Sequence, residues 1–501
     1  MDFEKQSAAM SPQEEPQADL HRLPSLERGY SINNNPNPQL FVVQESGPPP
    51  PRAQQTQQQA TGHARDGKSE EPGGEEDTVG TDADAEYGSR PRTLLGEETY
   101  PEGGLAAWLV VFGCWCGLFA AAGIMNSIAT FQTYVAIHQL SGHDEGTIGW
   151  IFSVYTFLVF FCGIYIGPIF DKYGPRWLVL VGGIGLVLGI MLTSICTEYW
   201  HFLLAFGFLS GISTSLLFTP CFTAVGHFFR ARRGMATGLA STGGGFGGVV
   251  FPLMLQSLFD RVGWAWALRS LGFLCMVLVV LCNCFIRRRL PAAAGASAHP
   301  DFRIFWDRAF FFTTLGVFLL ELGLFIPLAY VSSYSLAQGF GEHFAFGVVL
   351  PVLNAASIFG RALPGYWADK IGPFNSNMLS VALTIVACLA VWLPAGATVA
   401  GVLVFAILFG FATGNNISIT PVCVGRLCHT QHYGRYYATC YTIVSVATLI
   451  GIPIAGNIVA ATPGGRYWGL IVFTGLTQAL SLLSFMVAKG VSVGWKPWVI
   501  F

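Results

Sequence analysis

The sequence predicts an all-α membrane protein, in which twelve transmembrane helices form two parallel repeats of six behind a disordered N-terminal tail. Residues 101–501 hold 19 Lys or Arg and 11 Asp or Glu, so only 30 of 401 residues are charged. In an average soluble protein about a quarter of the residues are charged. Apolar runs of roughly 20 residues recur along this part, which is the length that crosses ~30 Å of hydrocarbon as a helix. Its second half also repeats motifs of the first. These features exclude a soluble enzyme.

The first hundred residues have a different composition. Residues 1–100 hold 8 Lys or Arg and 18 Asp or Glu, a net charge of −10, and they are rich in Pro, Gln and Gly. Aromatic and branched side chains are scarce, so burial cannot offset the entropy of ordering the chain. We therefore expect a disordered, acidic, cytoplasmic tail, which is either a solvated spacer or a carrier of regulatory sites. Its start, MDFEKQSAAM, does not resemble a secretory signal.

Apolar segments separated by short polar breaks predict twelve spans. We place them near 105–137, 147–169, 177–197, 200–222, 235–258, 265–286, 309–336, 344–367, 376–394, 398–422, 436–460 and 467–488. The corresponding domains are the tail (1–100), an N-terminal half (101–286), a basic cytoplasmic linker (287–308) and a C-terminal half (309–501). All twelve cysteines follow residue 113 without the C-x-x-C pairs of a zinc site. We expect them to be small apolar side chains, and we predict no metal.

Basic residues are concentrated in the loops that follow even-numbered spans. The loop after span 4 holds Arg230, Arg232 and Arg233, and three arginines at 287–289 follow span 6. Opposite loops carry mainly acidic groups, such as Glu198. Because Lys and Arg are retained on the cytoplasmic side, we expect both termini to be cytoplasmic. We expect the chain to lie in the plasma membrane, with the vacuolar membrane as the alternative.

The two halves share a motif. GIYIGPIFDKYGP (163–175) aligns with RALPGYWADKIGP (361–373) at an offset of 198 residues. Two six-helix halves in parallel repeat, joined by a basic loop, resemble the arrangement of the major facilitator superfamily. This resemblance implies a transporter that binds its solute between the halves and rocks them for alternating access.

The loop after span 2 and its copy after span 8 resemble the signature loop of that superfamily. Gly167 lets helices approach closely, and Gly174 lies in a tight turn. Asp171 can face a helix N-terminus and Arg176 can pair nearby, so the loop can latch helix ends together in one state. Simple turn chemistry is the alternative. The copy around Asp369 lacks a counterpart of Arg176, so we expect its latch to be weaker. The predicted gate comprises Gly167, Asp171, Lys172, Gly174, Arg176, Arg232, Arg233, Asp369 and Lys370.

Several segments resemble a narrower family, the monocarboxylate porters. The segment 228–240, FFRARRGMATGLA, is similar to that family's signature between spans 4 and 5. Glu102-Gly103-Gly104 with Trp108 resembles its entry to span 1. The segment 354–361, NAASIFGR, resembles the fungal branch. The resemblance covers roughly residues 100–490.

Two positions depart from the proton-coupled lactate members of that family. Asn126 stands where those members have a Lys in span 1, and Ser357 stands one turn before Arg361 where they have an Asp. Only Arg361 of that trio remains, which argues against lactate–proton symport. Fungal relatives are not confined to simple monocarboxylates, and some export natural products.

The predicted solute site is centred on Arg361, which lies inside span 8. Asn354 and Ser357 precede it by seven and four residues, so the three share one helical face. Such a face can hold a carboxylate or another anionic oxygen group by a forked contact. The alternative is a structural Arg tied to backbone carbonyls. Three asparagines of spans 1 and 10 either line the cavity or hold helices together; they are Asn126, Asn415 and Asn416.

Glu321 is the only carboxylate well inside a predicted span. A low dielectric favours its neutral form, so Glu321 is the candidate proton carrier. The alternative is a neutral Glu that is hydrogen-bonded to a neighbouring helix.

One motif is misleading. Gly243-x-Gly245-x-x-Gly248 matches a dinucleotide fingerprint, but it lies inside span 5 and follows no strand, so we interpret it as a surface for close helix contact. The sequence contains no phosphate-cradling Walker motif, so nothing in it supports an ATP-driven pump.

We therefore expect a secondary transporter, not an enzyme, that moves a small organic, carboxylated or anionic solute and exports a fungal metabolite. The alternatives are a proton-coupled importer of nutrients or monocarboxylates and a nutrient receptor that no longer transports. We expect the lipid bilayer as its surroundings and protons as a candidate coupling ion. We expect no cofactor, no nucleic acid and no obligate protein partner.

Overall fold

The computed structural model describes residues 100–143, 145–290, 299, 302–462 and 467–495. Helices are the only regular structure in these ranges, which confirms the predicted fold class for the part that is described. The predicted tail up to residue 99 and the middle of the predicted linker lie outside the described residues.

Eleven helices of the described part are long and apolar enough to cross a membrane. In chain order they are α1 (Leu105–Asn126), α2 (Gly146–Tyr173), α3 (Arg176–Thr193), α4 (Tyr199–Val225), the long helix Arg233–Phe285, α7 (Arg308–Ala337), α8 (Gly347–Ile371), α9 (Pro373–Ala395), α10 (Val399–Arg426), α11 (Thr430–Ala461) and α12 (Trp468–Val493). A shorter apolar helix, Ile128–Ile137, continues α1 beyond a break at Ser127.

The long helix contains two spans. Arg233–Phe285 has 53 residues, and at 1.5 Å per residue it would extend for ~80 Å, more than twice the thickness of the hydrocarbon. It is interrupted at Gly263, where φ is 73°, a conformation that favours glycine. We name residues 233–262 α5 and residues 264–285 α6. The twelve predicted spans are thus all present.

Large apolar side chains cover the outer surface of the helices. Examples are Ile184 and Leu188 of α3, Val280 of α6 and Leu483 of α12, all of which are exposed. A continuous apolar surface of this kind is unusual on a soluble monomer but suits contact with lipid chains. The outer faces therefore agree with a helix bundle that is embedded in a membrane.

The two halves meet mainly along two pairs of helices. The long helix packs against α8 of the other half, as well as against α1 of its own half, and α2 packs against α11. Within the α5–α8 and α2–α11 pairs, contacts reach the end of the molecule that carries Arg230, Arg232, Lys370 and Arg435. We name this end the basic end. The α5–α8 and α2–α11 seams close the basic end and position the candidate site.

Candidate functional site

The glycine-rich face of α5 lets α8 approach to backbone contact. A Cβ added to Gly238 would lie 2.4 Å from the carbonyl oxygen of Arg361, and one added to Gly234 would lie 2.7 Å from that of Gly365. A Cβ on Gly245 would lie 2.7 Å from the side chain of Ile358. Real Cβ atoms do not tolerate such distances, so the seam depends on glycine. This geometry accounts for the dinucleotide-like pattern as helix packing.

Arg361 of α8 lies in this seam and is 3% exposed. Its Nη1 donates to the backbone oxygen of Ser241 in α5 at 2.7 Å, and its Nε donates to Ser357 Oγ at 3.2 Å. These bonds use two of the five N–H donors of a guanidinium. Among the described residues its contacts are with a carbonyl and a hydroxyl and not with a carboxylate. Its charge is therefore solvated by neutral dipoles alone.

The predicted asparagines have different surroundings. Asn354 donates to the Gly248 oxygen at 3.2 Å, across the same seam. Asn126 of α1 donates to the Gly244 oxygen at 2.9 Å within its own half. Asn415 of α10 is fully buried, and its amide donates to the Ser376 oxygen at 3.1 Å and to Ser380 Oγ, both in α9. The contacts of Asn415 thus favour a role in holding α9 against α10, not in lining the interface.

Glu321 of α7 is 3% exposed. It interacts electrostatically with Tyr437, Cys440 and Tyr441 of α11. Among the described residues, no hydrogen bond or ion pair joins Glu321 to Arg361. The structure therefore places the candidate proton carrier beside α11 and the candidate anion anchor beside α5, as two separate groups.

An aromatic seam between the halves was not predicted from the sequence. The ring of Phe160 in α2 stacks on Tyr441 with centroids 5.5 Å apart, and Phe222 in α4 stacks on Tyr437 at 6.2 Å. Phe218 links the two pairs, at 5.7 Å from Phe160 and 4.9 Å from Phe222. Tyr437 and Tyr441 are four residues apart and so share a helical face, which was a signal available in the sequence.

Several buried polar groups of the C-terminal half have unused hydrogen-bonding capacity among the described residues. Both amide atoms of Asn416 and the hydroxyl of Tyr437 are buried without a hydrogen-bond partner among the described residues. Buried polar groups are normally paired, so such atoms call for a water or a ligand. The side-chain oxygen of Asn415 also lacks such a partner, so both asparagines of α10 retain hydrogen-bonding capacity.

Carboxylates cap helices of the opposite half at the basic end. Asp171 accepts from the backbone N–H groups of Gly434 and Arg435, at 2.9 and 2.8 Å, at the start of α11. Asp369 accepts from those of Gly234 and Met235, at 2.7 and 2.9 Å, at the start of α5. The amide groups at a helix start are unsatisfied and partly positive, so each carboxylate is well placed.

The two capping carboxylates differ in their exposure. Asp171 is 3% exposed, whereas Asp369 is only half-buried. A Cβ on Gly167, four residues before Asp171, would lie 2.1 Å from the Gly434 oxygen, so this glycine brings α2 against α11. Gly174 ends α2 with φ 86°, as a tight turn requires.

Of the predicted gate cations, Arg233 lies inside the interface. It is buried, its guanidinium lies 3.9 Å from the centre of the Tyr433 ring, and its Nη1 donates to the Gly425 oxygen at 3.4 Å. Both partners belong to the C-terminal half. The other cations of the gate have exposed side chains; they are Lys172, Arg176, Arg232 and Lys370.

Arg288, and not Arg176, contacts the loop after α2. Its Nη1 donates to the Lys172 oxygen at 2.9 Å and lies 3.4 Å from the Asp171 oxygen. Since these carbonyls end a helix, a cation suits them. The local sequence favoured Arg176 because it is near in the chain, whereas the fold brings a residue from 116 positions away.

A second missed contact holds the loop between α4 and α5. The Glu102 carboxylate accepts from the backbone N–H groups of Arg230, Ala231 and Arg232, at 2.7, 2.7 and 3.0 Å. Glu102 was identified by its resemblance to a family motif, but its partners could not be read from the sequence. Its three bonds order the start of α5.

His227 lies between α4 and α5 at the basic end and is 2% exposed. Burial, together with the positive charges of Arg233, Arg288 and Arg289, lowers its pKa to about 3. Its ring packs edge-on against Phe170 at 5.5 Å. The imidazole is therefore neutral and serves as an aromatic filler under a cluster of arginines.

Similarity to known proteins agrees with this architecture. The family model described as "Major Facilitator Superfamily" matches residues 108–452. The "Riboflavin transporter MCH5" of Saccharomyces cerevisiae is 34% identical over 81% of this chain and 82% of its own length. The "Aspyridones efflux protein apdF" of Emericella nidulans is 34% identical over 78% and 79% of the two chains.

A solved structure shares the fold at low sequence identity. The transporter FucP, described "in the outward conformation", matches with a TM-score of 0.60 and 16% identity over 76% of this chain and 98% of its own. The family match, the relatives and the twelve-helix fold agree that the protein transports a small molecule and is not an enzyme. The chain belongs to the Major Facilitator Superfamily, whose members carry small solutes across membranes.

Proposed function

We propose that this protein exports a small organic metabolite with a carboxylate or other anionic group by alternating access. The observation that carries the proposal is the guanidinium of Arg361. It is buried between the halves, and its described partners are a carbonyl and a hydroxyl rather than a carboxylate. A buried charge is costly unless it is paired. An anionic group of the solute would supply the missing counter-charge.

The surroundings of Arg361 provide more hydrogen-bonding groups. Ser357 and Asn354 lie on the same face of α8, and Asn126 of α1 donates to the same stripe of α5 as Asn354. The aromatic seam provides stacking surface, and the Tyr437 hydroxyl, which has no hydrogen-bond partner among the described residues, provides polarity. A small metabolite with an apolar ring system and an anionic oxygen suits this combination better than a short aliphatic acid.

Relatives favour export but leave import as a second candidate. The name of the Emericella nidulans relative states efflux of aspyridones, and others are named as efflux proteins of fujikurins and agnestins. The Saccharomyces cerevisiae relative is named a riboflavin transporter, which favours a nutrient or vitamin as the alternative cargo. Under either candidate the solute binds between the halves.

We propose that the basic end is cytoplasmic, in the plasma membrane. Loops at this end carry the arginines and lysines that the positive-inside rule assigns to the cytoplasm. The present conformation, with the α5–α8 and α2–α11 seams closed, is then closed to the cytoplasm. We propose Glu321 as the proton carrier, because it is a buried carboxylate on α7, which packs against α11, and a low dielectric lets it exist as a neutral acid.

Comparing the metabolites inside and outside cells, with and without the protein, tests the proposed function. We expect the protein to raise the external fraction of at least one anionic metabolite. We expect Arg361→Ala to abolish this difference while the amount of protein in the membrane stays equal. Arg261→Ala is the matched control, because Arg261 is exposed at the opposite end of α5. An unchanged external fraction with Arg361→Ala would remove Arg361 from the solute site.

A further inference from the structure

Three side chains donate hydrogen bonds to backbone oxygens along one stripe of α5. The pairs are Arg361 Nη1 to Ser241 O at 2.7 Å, Asn126 Nδ2 to Gly244 O at 2.9 Å and Asn354 Nδ2 to Gly248 O at 3.2 Å. The accepting residues are spaced by three and four positions, so they lie on one helical face. A carbonyl has two lone pairs, so it can accept these bonds in addition to a helical one.

The three bonds differ in which half supplies the donor. Asn126 belongs to α1, so its bond stays within the N-terminal half. Arg361 and Asn354 belong to α8, so their bonds join the two halves. Rocking the halves apart at the basic end must break the bonds that join the halves, and it leaves the Asn126 bond intact.

The bonds between halves need the glycines of α5. A Cβ on Gly244 would lie 2.7 Å from Arg361 Nη1, and one on Gly248 would lie 3.1 Å from Asn354 Oδ1. With larger residues at these positions the donors could not reach the backbone. The bare backbone of α5 thus serves as a binding surface for polar side chains of the other half.

We propose that Asn354 and Arg361 clamp the α5–α8 seam by donating to α5 carbonyls, and that opening the basic end releases both donors to the solute. The same two side chains then hold the halves together in one state and bind the solute in the other. Solute binding and closure of the basic end compete for them. The clamp follows from the geometry alone, whereas the release to solute rests on the proposed transport function.

The clamp can be tested without a solute by thiol labelling. Ser241 is 1% exposed and lies three and seven residues after Gly238 and Gly234, whose faces meet α8. A Ser241→Cys reporter keeps the backbone oxygen and is shielded while the seam is closed. Its rate of reaction with a water-soluble maleimide, in purified protein in lipid nanodiscs, reports the fraction of open seam. Mass spectrometry of the peptide that contains residue 241 separates it from the native cysteines.

Asn354→Leu and Asn126→Leu form the matched pair. Each replaces an amide that donates to α5, but only the first bond joins the halves. We expect Asn354→Leu to speed labelling about fivefold, the effect of losing one neutral hydrogen bond, and Asn126→Leu to leave the rate within about twofold. Asn354→Ala, which adds no apolar volume, should also speed labelling.

Equal rates in both leucine variants, or no acceleration by either Asn354 variant, would overturn the clamp. Measurements of solute flux test the proposed transport function separately from the clamp. Absence of flux with an intact labelling response would refute the transport function and leave the clamp in place.

Discussion

Replacing Asp171 by Asn should open the basic end more than the same replacement at Asp369. Each carboxylate accepts two backbone N–H groups at the start of a helix of the other half. The Asn amide keeps one acceptor oxygen but presents an N–H group to the second donor, and it removes the charge that the helix start favours.

The expected change in the ratio of open to closed protein follows from the number of hydrogen bonds lost and from their exposure to solvent. A hydrogen bond to a charged group contributes about 1.5–3 kcal/mol. Losing one such bond at buried Asp171 costs ~2 kcal/mol, which is a change of about 30-fold in the ratio of open to closed. At half-buried Asp369 solvent screening reduces the loss to ~1 kcal/mol, or about fivefold.

The labelling rate of Ser241→Cys reports the opening of the basic end in both variants. One reporter suffices because the α5–α8 and α2–α11 seams open together when rigid halves rock. Each variant is compared with the reporter alone in the same nanodiscs. If Asp369→Asn accelerated labelling as much as Asp171→Asn, the larger contribution assigned to the buried Asp171 would be wrong. If neither variant changed the rate, the carboxylates would not latch the basic end.

Three further outcomes are expected. Glu321→Gln should abolish the pH dependence of solute flux, because an amide cannot carry the proton, and a retained pH dependence would exclude Glu321. His227→Phe should flatten the fall in thermal stability between pH 7.5 and 5.5. A buried His with a pKa of about 3 costs ~1.4 kcal/mol at pH 5.5, where the unfolded side chain, with a pKa near 6.5, binds a proton that the folded one does not; an unchanged slope of the melting temperature would contradict this assignment. Glu102→Gln should speed hydrogen exchange of the backbone amides at 230–232 about tenfold. The Gln side chain is uncharged and has one acceptor oxygen in place of two, so it holds the three N–H groups less well. Exchange as slow as in the parent protein would show that the loop is ordered by other contacts.

The twelve spans could be predicted because hydropathy is a local property. Every predicted span coincides with helix, and two details differed: the first predicted span is broken at Ser127, and the helix of the fifth continues to Gly263. The glycines of α5 were also readable, because a helix with so many residues lacking a side chain must lie against another backbone.

The partners of the polar residues could not be read in the same way. Asn415 and Asn416 are adjacent in the chain, yet the amide nitrogen of Asn415 donates to α9, whereas both amide atoms of Asn416 lack a partner among the described residues. A turn of about 100° along the helix separates them, and the sequence does not say which direction meets a neighbour. The contact of Arg288 with the loop after α2, where Arg176 was expected, likewise depends on the tertiary fold and not on the local sequence.

The sequence by itself determined that the chain is a twelve-helix membrane transporter, and it named Arg361 and Glu321 as the charges to consider. Composition and periodicity suffice for this, because a lipid environment restricts the chain to helices and makes each buried charge conspicuous. The tertiary structure decided that Arg361 and Asn354 hold α5 carbonyls of the opposite half, while Glu321 lies apart beside α11. Those contacts join residues more than a hundred positions apart, and they depend on how closely bare backbone lets two helices approach.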